Sequence, residues 1–226
     1  MKLQIQLKGG PGSGHHGHRG IPGHRGGSLP ETGGGNMLPP EQRVWQGESY
    51  PGGRKINNDQ TGKIGEHLAA KAMEDRLGVP FSTLNEGVNN APIDLGGDHH
   101  AIEVKAGPAS NSARAQQWRA TISTAGKAER AMLKKMSREE KRAYNAHKKE
   151  QVLQRKYAML EEMGNIAGAE IKPATVGIIL TPDGKRGDVF FFPDFHTRIG
   201  WNKGAVEENY IGTYETDADF LKELGL

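Results

Sequence analysis

The sequence contains no cysteine, which excludes disulfides, thiolate catalysis and cysteine-ligated zinc and fits an intracellular chain. No run of about 18 apolar residues occurs, so a membrane-spanning helix is not expected. Met1 to Leu7 is too short and too polar for the apolar core of a signal peptide, and secretion by that route is not expected. Neither a Gly-x-Ser-x-Gly elbow nor a P-loop is present, which removes two common hydrolase schemes. Hydrophobic residues reach only 35% and aromatics 6%, against 32 glycines in 226 residues, so part of the chain is expected to lie outside any packed core. Neither sign of charge dominates. Thirty Lys and Arg face 27 Asp and Glu, for a net charge of +3, a mildly basic balance that permits nucleic acid without demanding it.

Much of the glycine is concentrated near the start. Residues 1–9 could form one short strand, since Leu3, Ile5 and Leu7 alternate. From Gly9 to Gly35 the chain is rich in Gly, His and Arg, and Gly17-His18-Arg19-Gly20 nearly repeats at Gly23-His24-Arg25-Gly26. Such glycine density cannot repay the entropy of ordering, so residues 1–40 are expected to be a flexible, disordered tail. His15, His16, His18 and His24 offer transition-metal ligands, with a plain flexible linker as the other reading. Leu29-Pro30-Glu31-Thr32-Gly33 matches a wall-sorting pattern but lacks the hydrophobic stretch and basic tail that must follow it, so coincidence or a cloning remnant explains it. Residues 36–58 lead irregularly into a domain spanning 41–226, with Trp45 and Tyr50 as early packing anchors.

Chemistry concentrates between Pro92 and Gly107. The sequence predicts two short strands joined by a tight turn over Gly96 to His99. With the turn centred on Gly97-Asp98, Asp94 faces Ala101 and lies diagonally from Glu103. Strand alternation then puts Asp94, Ala101, Glu103 and Lys105 on one face. Two carboxylates and an ammonium on a half-buried patch need partners or a purpose. Magnesium suits such a pair, because it prefers oxygen ligands and keeps several waters.

Upstream, a helix is predicted from Thr61 to Leu77, stopped by Gly78 and Pro80. Its apolar arc of Ile64, Leu68, Ala69, Ala70, Ala72, Met73 and Leu77 includes Glu66, an acid on the buried face. Glu66 either serves the carboxylate patch or sits at the edge of the stripe with its head in solvent.

The pattern Pro92-x-Asp94 followed by Glu103-Val104-Lys105 resembles the metal-binding motif of the PD-(D/E)XK nuclease superfamily, with the proline two rather than one before the Asp. The resemblance implies an α/β, restriction-endonuclease-like core: a mixed central sheet flanked by helices in the order α-β-β-β-α-β. It implies a magnesium ion, replaceable by manganese, held by Asp94, Glu103 and the Val104 carbonyl. Lys105 would orient or help deprotonate the attacking water, and Glu66 would complete the site or hold a second ion. The implied activity is DNA cleavage leaving a 5′-phosphate, by an endonuclease or an exonuclease, and many relatives cut duplexes as dimers. Gln117 stands where some members place a supporting residue, within a helix predicted from about Ser112 to Ile122. The Gly/His/Arg tail resembles segments of tailed-phage head and minor capsid proteins, which implies a phage-encoded, head-associated chain acting in the host cytoplasm or carried in the virion.

Between residues 126 and 164 the sequence predicts an inserted, basic helical hairpin. Ser137-Arg138-Glu139-Glu140 is a capping box that starts its second helix. From Lys127 to Glu162 eleven Lys or Arg face six Asp or Glu, and a basic surface is expected that includes Arg138, Lys141, Arg155 and Lys156, with Lys134, Lys135, Arg142, Lys148 and Lys149 as the candidates for DNA phosphates. A solvated helix or a coiled-coil surface is the competing reading. The apolar run Thr175 to Leu180 and the segment Asp188 to Phe192 are expected to close the sheet, and Asp217–Leu224 to end the chain as a short helix. Three functions follow: a magnesium-dependent DNA nuclease; a non-catalytic DNA-binding or phage head-associated protein in which the acids only pair with Lys105; or a toxin-like RNA nuclease on the same scaffold.

Overall fold

A computed structural model describes residues 35–44, 55–84, 92–97, 99–108, 118–119, 127–195, 198–199 and 208–226. The expectations for residues 1–34, Trp45, Tyr50 and Gln117 lie outside the described residues.

Helix α1 (Asn58–Leu77) begins three residues before the expected Thr61. The cause is a capping pair invisible to apolar periodicity: Asn57 Oδ1 accepts from the Gln60 N–H at 2.8 Å, and Gln60 Oε1 accepts from the Asn57 N–H at 2.9 Å. The helix ends at Gly78, whose φ of +70° is the left-handed conformation glycine adopts without penalty. Its inner face buries Ile64, Leu68, Ala69, Ala72 and Met73.

Strands β1 (Ser82–Thr83), β2 (Leu95–Gly97), β3 (His100–Pro108), β5 (Lys172–Leu180), β6 (Arg186–Pro193) and β8 (Tyr210–Glu215) form one mixed six-stranded sheet, in the spatial order β1-β2-β3-β5-β6-β8. Only β3 and β5 are parallel; the other neighbours are antiparallel. Parallel neighbours need a long connection, and α2 (Lys127–Lys135) and α3 (Arg138–Ala167) lie within it. Nearly every residue of β5 is buried, as expected of a central strand covered on both faces. Helix α4 (Ala218–Glu223) closes the chain near the expected position.

Alternation along β3 divides the molecule. Ile102, Val104 and Ala106 join the large core beneath α1, whereas Ala101 joins a smaller cluster with Ile93, Ile171 and Phe195 beneath Leu153, Met159, Leu160 and Met163 of α3. The Ser137 cap starts α3 as expected, and its hydroxyl accepts from the Glu140 N–H. Helix α2 is fastened to α3 through Glu129, which accepts from Tyr144 Oη and Lys148 Nζ.

Two expectations are corrected. The β2–β3 register pairs Gly96, not Asp94, with Ala101, and the turn centres one residue later, with His99 at φ 59°. The shift moves partners by two residues, so side chains keep their faces. Within the expected helix at 112–122, Trp118–Arg119 instead forms strand β4 paired with β7 (Arg198–Ile199). That pairing is non-local, so local helical patterning carries no sign of it.

Gly65 lets α1 lie directly on β3: a Cβ there would stand 2.2 Å from the Ala106 Cβ. Gly65→Ala is expected to destabilise the fold by about 1–3 kcal/mol through overpacking. Gly62→Ala, in the same helix but facing open space, should gain about 0.5–1 kcal/mol from helix propensity. Urea denaturation of the two variants measures both signs.

Candidate carboxylate–lysine site

Asp94 immediately precedes β2. Its N–H donates to the Ile102 carbonyl at 3.0 Å, and its carbonyl accepts from the Leu84 N–H at 2.8 Å, so neighbouring backbone fixes it on both sides. Its Oδ2 accepts from the Val104 N–H at 2.7 Å, which turns the carboxylate toward the centre of β3.

Glu103 is buried, at 6% exposure, on the α3 side of the sheet. Its Oε1 accepts from Lys105 Nζ and its Oε2 from Lys156 Nζ. Burial of a lone carboxylate would be prohibitive, and two ammonium groups offset that cost. Lys105, two residues along the same strand, reaches Glu103 on the shared face, as the sequence predicts. Burial pulls its pKa down to about 8, against the negative charges of Asp94 and Glu66, which raise it, while Lys156 adds to the lowering. Glu66, half-buried on α1, is therefore close enough to act electrostatically on the cluster. Val104 stands between Glu103 and Lys105 with its side chain in the α1 core.

Lys156 is the member that sequence reasoning placed elsewhere, among the cations of a basic surface. It is buried instead, donating to the Pro92 carbonyl as well as to Glu103, with its ammonium 5.5 Å from the centre of the Phe195 ring. Burial lowers its pKa to about 8 against the raising charge of Asp94. A signal existed: Lys156 lies three residues after Leu153 and four before Leu160, inside the apolar stripe of α3, as Glu66 lies inside that of α1. A second buried acid, Asp188 on β6, accepts from the Thr213 hydroxyl at 2.7 Å and belongs to a separate network with Tyr210.

Of the hairpin cations, Lys134, Lys135 and Arg142 are exposed and Lys149 is half-buried. Lys148 serves a different end, pinned to Glu129 and 5.4 Å from the centre of the Tyr144 ring.

Among the described residues, no group of three or more His, Cys, Asp or Glu side chains is arranged to hold a metal ion. Magnesium does not require one: it is commonly held by one or two carboxylates, with waters and substrate phosphates completing its shell. Asp94 and Glu103 are hard oxygen donors of that kind and fit such an ion, provided it replaces an ammonium on Glu103. No family model, curated protein or solved structure matches the chain. Among the described residues, no helix is long and apolar enough to cross a membrane.

Removing Glu103 alone would leave two ammonium groups facing each other under α3. Glu103→Leu is expected to cost about 3–5 kcal/mol, whereas the triple replacement Glu103→Leu, Lys105→Met, Lys156→Met should recover most of that loss. Guanidinium denaturation of the two variants tests the pair of outcomes.

Proposed function

We propose that the chain is a magnesium-dependent deoxyribonuclease of the PD-(D/E)XK type. The observation that carries this reading is the convergence of Asp94, just before β2, with Glu103 and Lys105 of β3: Asp94 is turned onto the Val104 N–H and the Lys105 ammonium lies on Glu103. The element order supports it further. A helix, three strands in antiparallel succession, a helical connection and a strand parallel to the third is the arrangement expected of a restriction-endonuclease-like core.

In this reading Asp94, Glu103 and the Val104 carbonyl would hold the ion, and Glu66 would add negative charge. Bound magnesium supplies Lewis-acid polarisation of a phosphoryl oxygen. Lys105 Nζ, with a pKa near 8, can take a proton from the attacking water when neutral or offset phosphate charge when protonated. Water's oxygen forms the new bond to phosphorus, the bond to the 3′ oxygen breaks, and that oxygen takes a proton from solvent, leaving a 5′-phosphate and a 3′-hydroxyl.

The exposed cations of α2 and α3 suit duplex phosphates. Arg142, Lys149 and Lys156 are spaced by seven residues, so they follow one face of α3 at intervals of about 10 Å. Burial increases along that line toward Glu103: Arg142 is exposed, Lys149 half-buried and Lys156 buried. Association with a phage head rests on the Gly/His/Arg tail, and action as a dimer on the resemblance alone.

One observation favours a second reading. Both Glu103 oxygens are taken by ammonium groups, which is what a non-catalytic DNA-binding protein with a structural ion cluster would also need.

Incubation with plasmid, linear DNA and RNA separates the readings. Cleavage of DNA in Mg²⁺ or Mn²⁺, abolished by EDTA and reduced at least about 100-fold in Asp94→Ala and Lys105→Ala, is the expected result. Binding without cleavage of any substrate would favour the non-catalytic protein, and cleavage confined to RNA the toxin-like nuclease.

For the hairpin, replacing Lys134, Lys135, Arg142 and Lys149 with Ala should weaken DNA binding and flatten its salt dependence by about 0.9 log units per lost phosphate contact. Lys148→Ala should instead lower the melting temperature, through loosened α2–α3 packing, and leave the salt slope unchanged. Binding titrations at several salt concentrations and thermal melts check the contrast.

A further inference from the structure

Lys156 is not required by the Asp, Glu-x-Lys pattern, yet it makes the contact that joins α3 to the carboxylates. Its ammonium donates to Glu103 Oε2 on β3 and to the Pro92 carbonyl, two residues before Asp94, and so bridges β3 to the segment that leads into β2. Lys105 is fixed to β3 and cannot leave this face. Lys156 rides on a helix held here by a small apolar cluster of Leu153, Met159, Leu160 and Met163 over Ile93, Ala101, Ile171 and Phe195. A divalent cation between Asp94 and Glu103 would repel an ammonium already on Glu103, and the repulsion is strong where solvent is excluded.

We propose that Lys156 is a tethered cation that closes the site: it holds Glu103 while no divalent ion is bound, and a divalent ion entering at Asp94 and Glu103 displaces it and loosens α3 from the sheet. This rests on the metal-binding reading above and adds its regulation. Such coupling is reciprocal: the factor by which a docked Lys156 weakens cation binding is the factor by which a bound cation weakens Lys156 docking. The hairpin then carries its exposed cations in two positions, docked in the empty site and released in the loaded one.

The test is titration of the full chain with Mg²⁺ alone, without nucleic acid, by calorimetry, for the native protein, Lys156→Met and Asp94→Asn. Magnesium is chosen over manganese because it avoids the histidines of residues 15–24. Methionine keeps the aliphatic stem against Leu153 and Leu160 and removes the charge. The expected result is Mg²⁺ affinity about tenfold tighter in Lys156→Met, within the 5- to 150-fold range common for coupled sites, and lost in Asp94→Asn. In parallel, Mg²⁺ should speed amide hydrogen exchange at residues 153–163 of the native chain. This second measurement decides the matter if Lys156→Met fails to fold. Mg²⁺ binding that depends on Asp94 but is unchanged or weaker in Lys156→Met overturns the tether and leaves the metal site standing. Unchanged or slower exchange in α3 when Mg²⁺ binds does the same. Absence of Mg²⁺ binding in both the native chain and Lys156→Met overturns the tether together with the metal site.

Discussion

A carboxylate buried in the face of a sheet constrains everything near it, and Glu103 is that carboxylate. Stripping a carboxylate of water costs several kcal/mol even after relaxation, so the fold must bring compensating charge to within hydrogen-bonding distance. One ammonium, from Lys105, is available from the same strand. The other comes from α3, 53 residues later, and its arrival sets where that helix can sit. The small apolar cluster under α3 holds the helix against the sheet. Lys156, with its bonds to Glu103 and to the Pro92 carbonyl, sets its register.

The opposite face is built differently. Beneath α1 there is a dense apolar core that requires close approach, met by Gly65 against Ala106. The two faces of β3 therefore do separate jobs: Ile102, Val104 and Ala106 provide stability, and Glu103 and Lys105 hold charge. Glu66 links them, since it sits on α1 yet acts on Lys105.

What was legible in the sequence was what depends on near neighbours. The shared face of Asp94, Glu103 and Lys105 survives a register shift because moving partners by two residues preserves alternation. The Ser137–Glu140 cap and the buried run of β5 are likewise local patterns. The turn itself was misplaced because His99 takes a left-handed conformation that glycine would have signalled and histidine does not. The pairing of Trp118–Arg119 with Arg198–Ile199 left no local trace. Lys156 was hidden by its company: among so many cations it read as one more surface charge, although its place between Leu153 and Leu160 marked it as buried.

That misplacement carries a physical lesson about the hairpin. A 30-residue helix is about 45 Å long, and only its second half rests on the sheet. The first half carries exposed cations and is braced by α2 through Glu129, Tyr144 and Lys148. A stiff helix transmits position, so the placement of Arg142 and Lys149 relative to Asp94 and Glu103 is set where α3 meets the sheet. At that junction the one buried polar anchor on the helix is the Lys156 ammonium, and its chief partner is a carboxylate of the proposed active site. A change in the charge around Glu103 therefore bears directly on the contact that anchors this helix, and through it on where Arg142 and Lys149 stand.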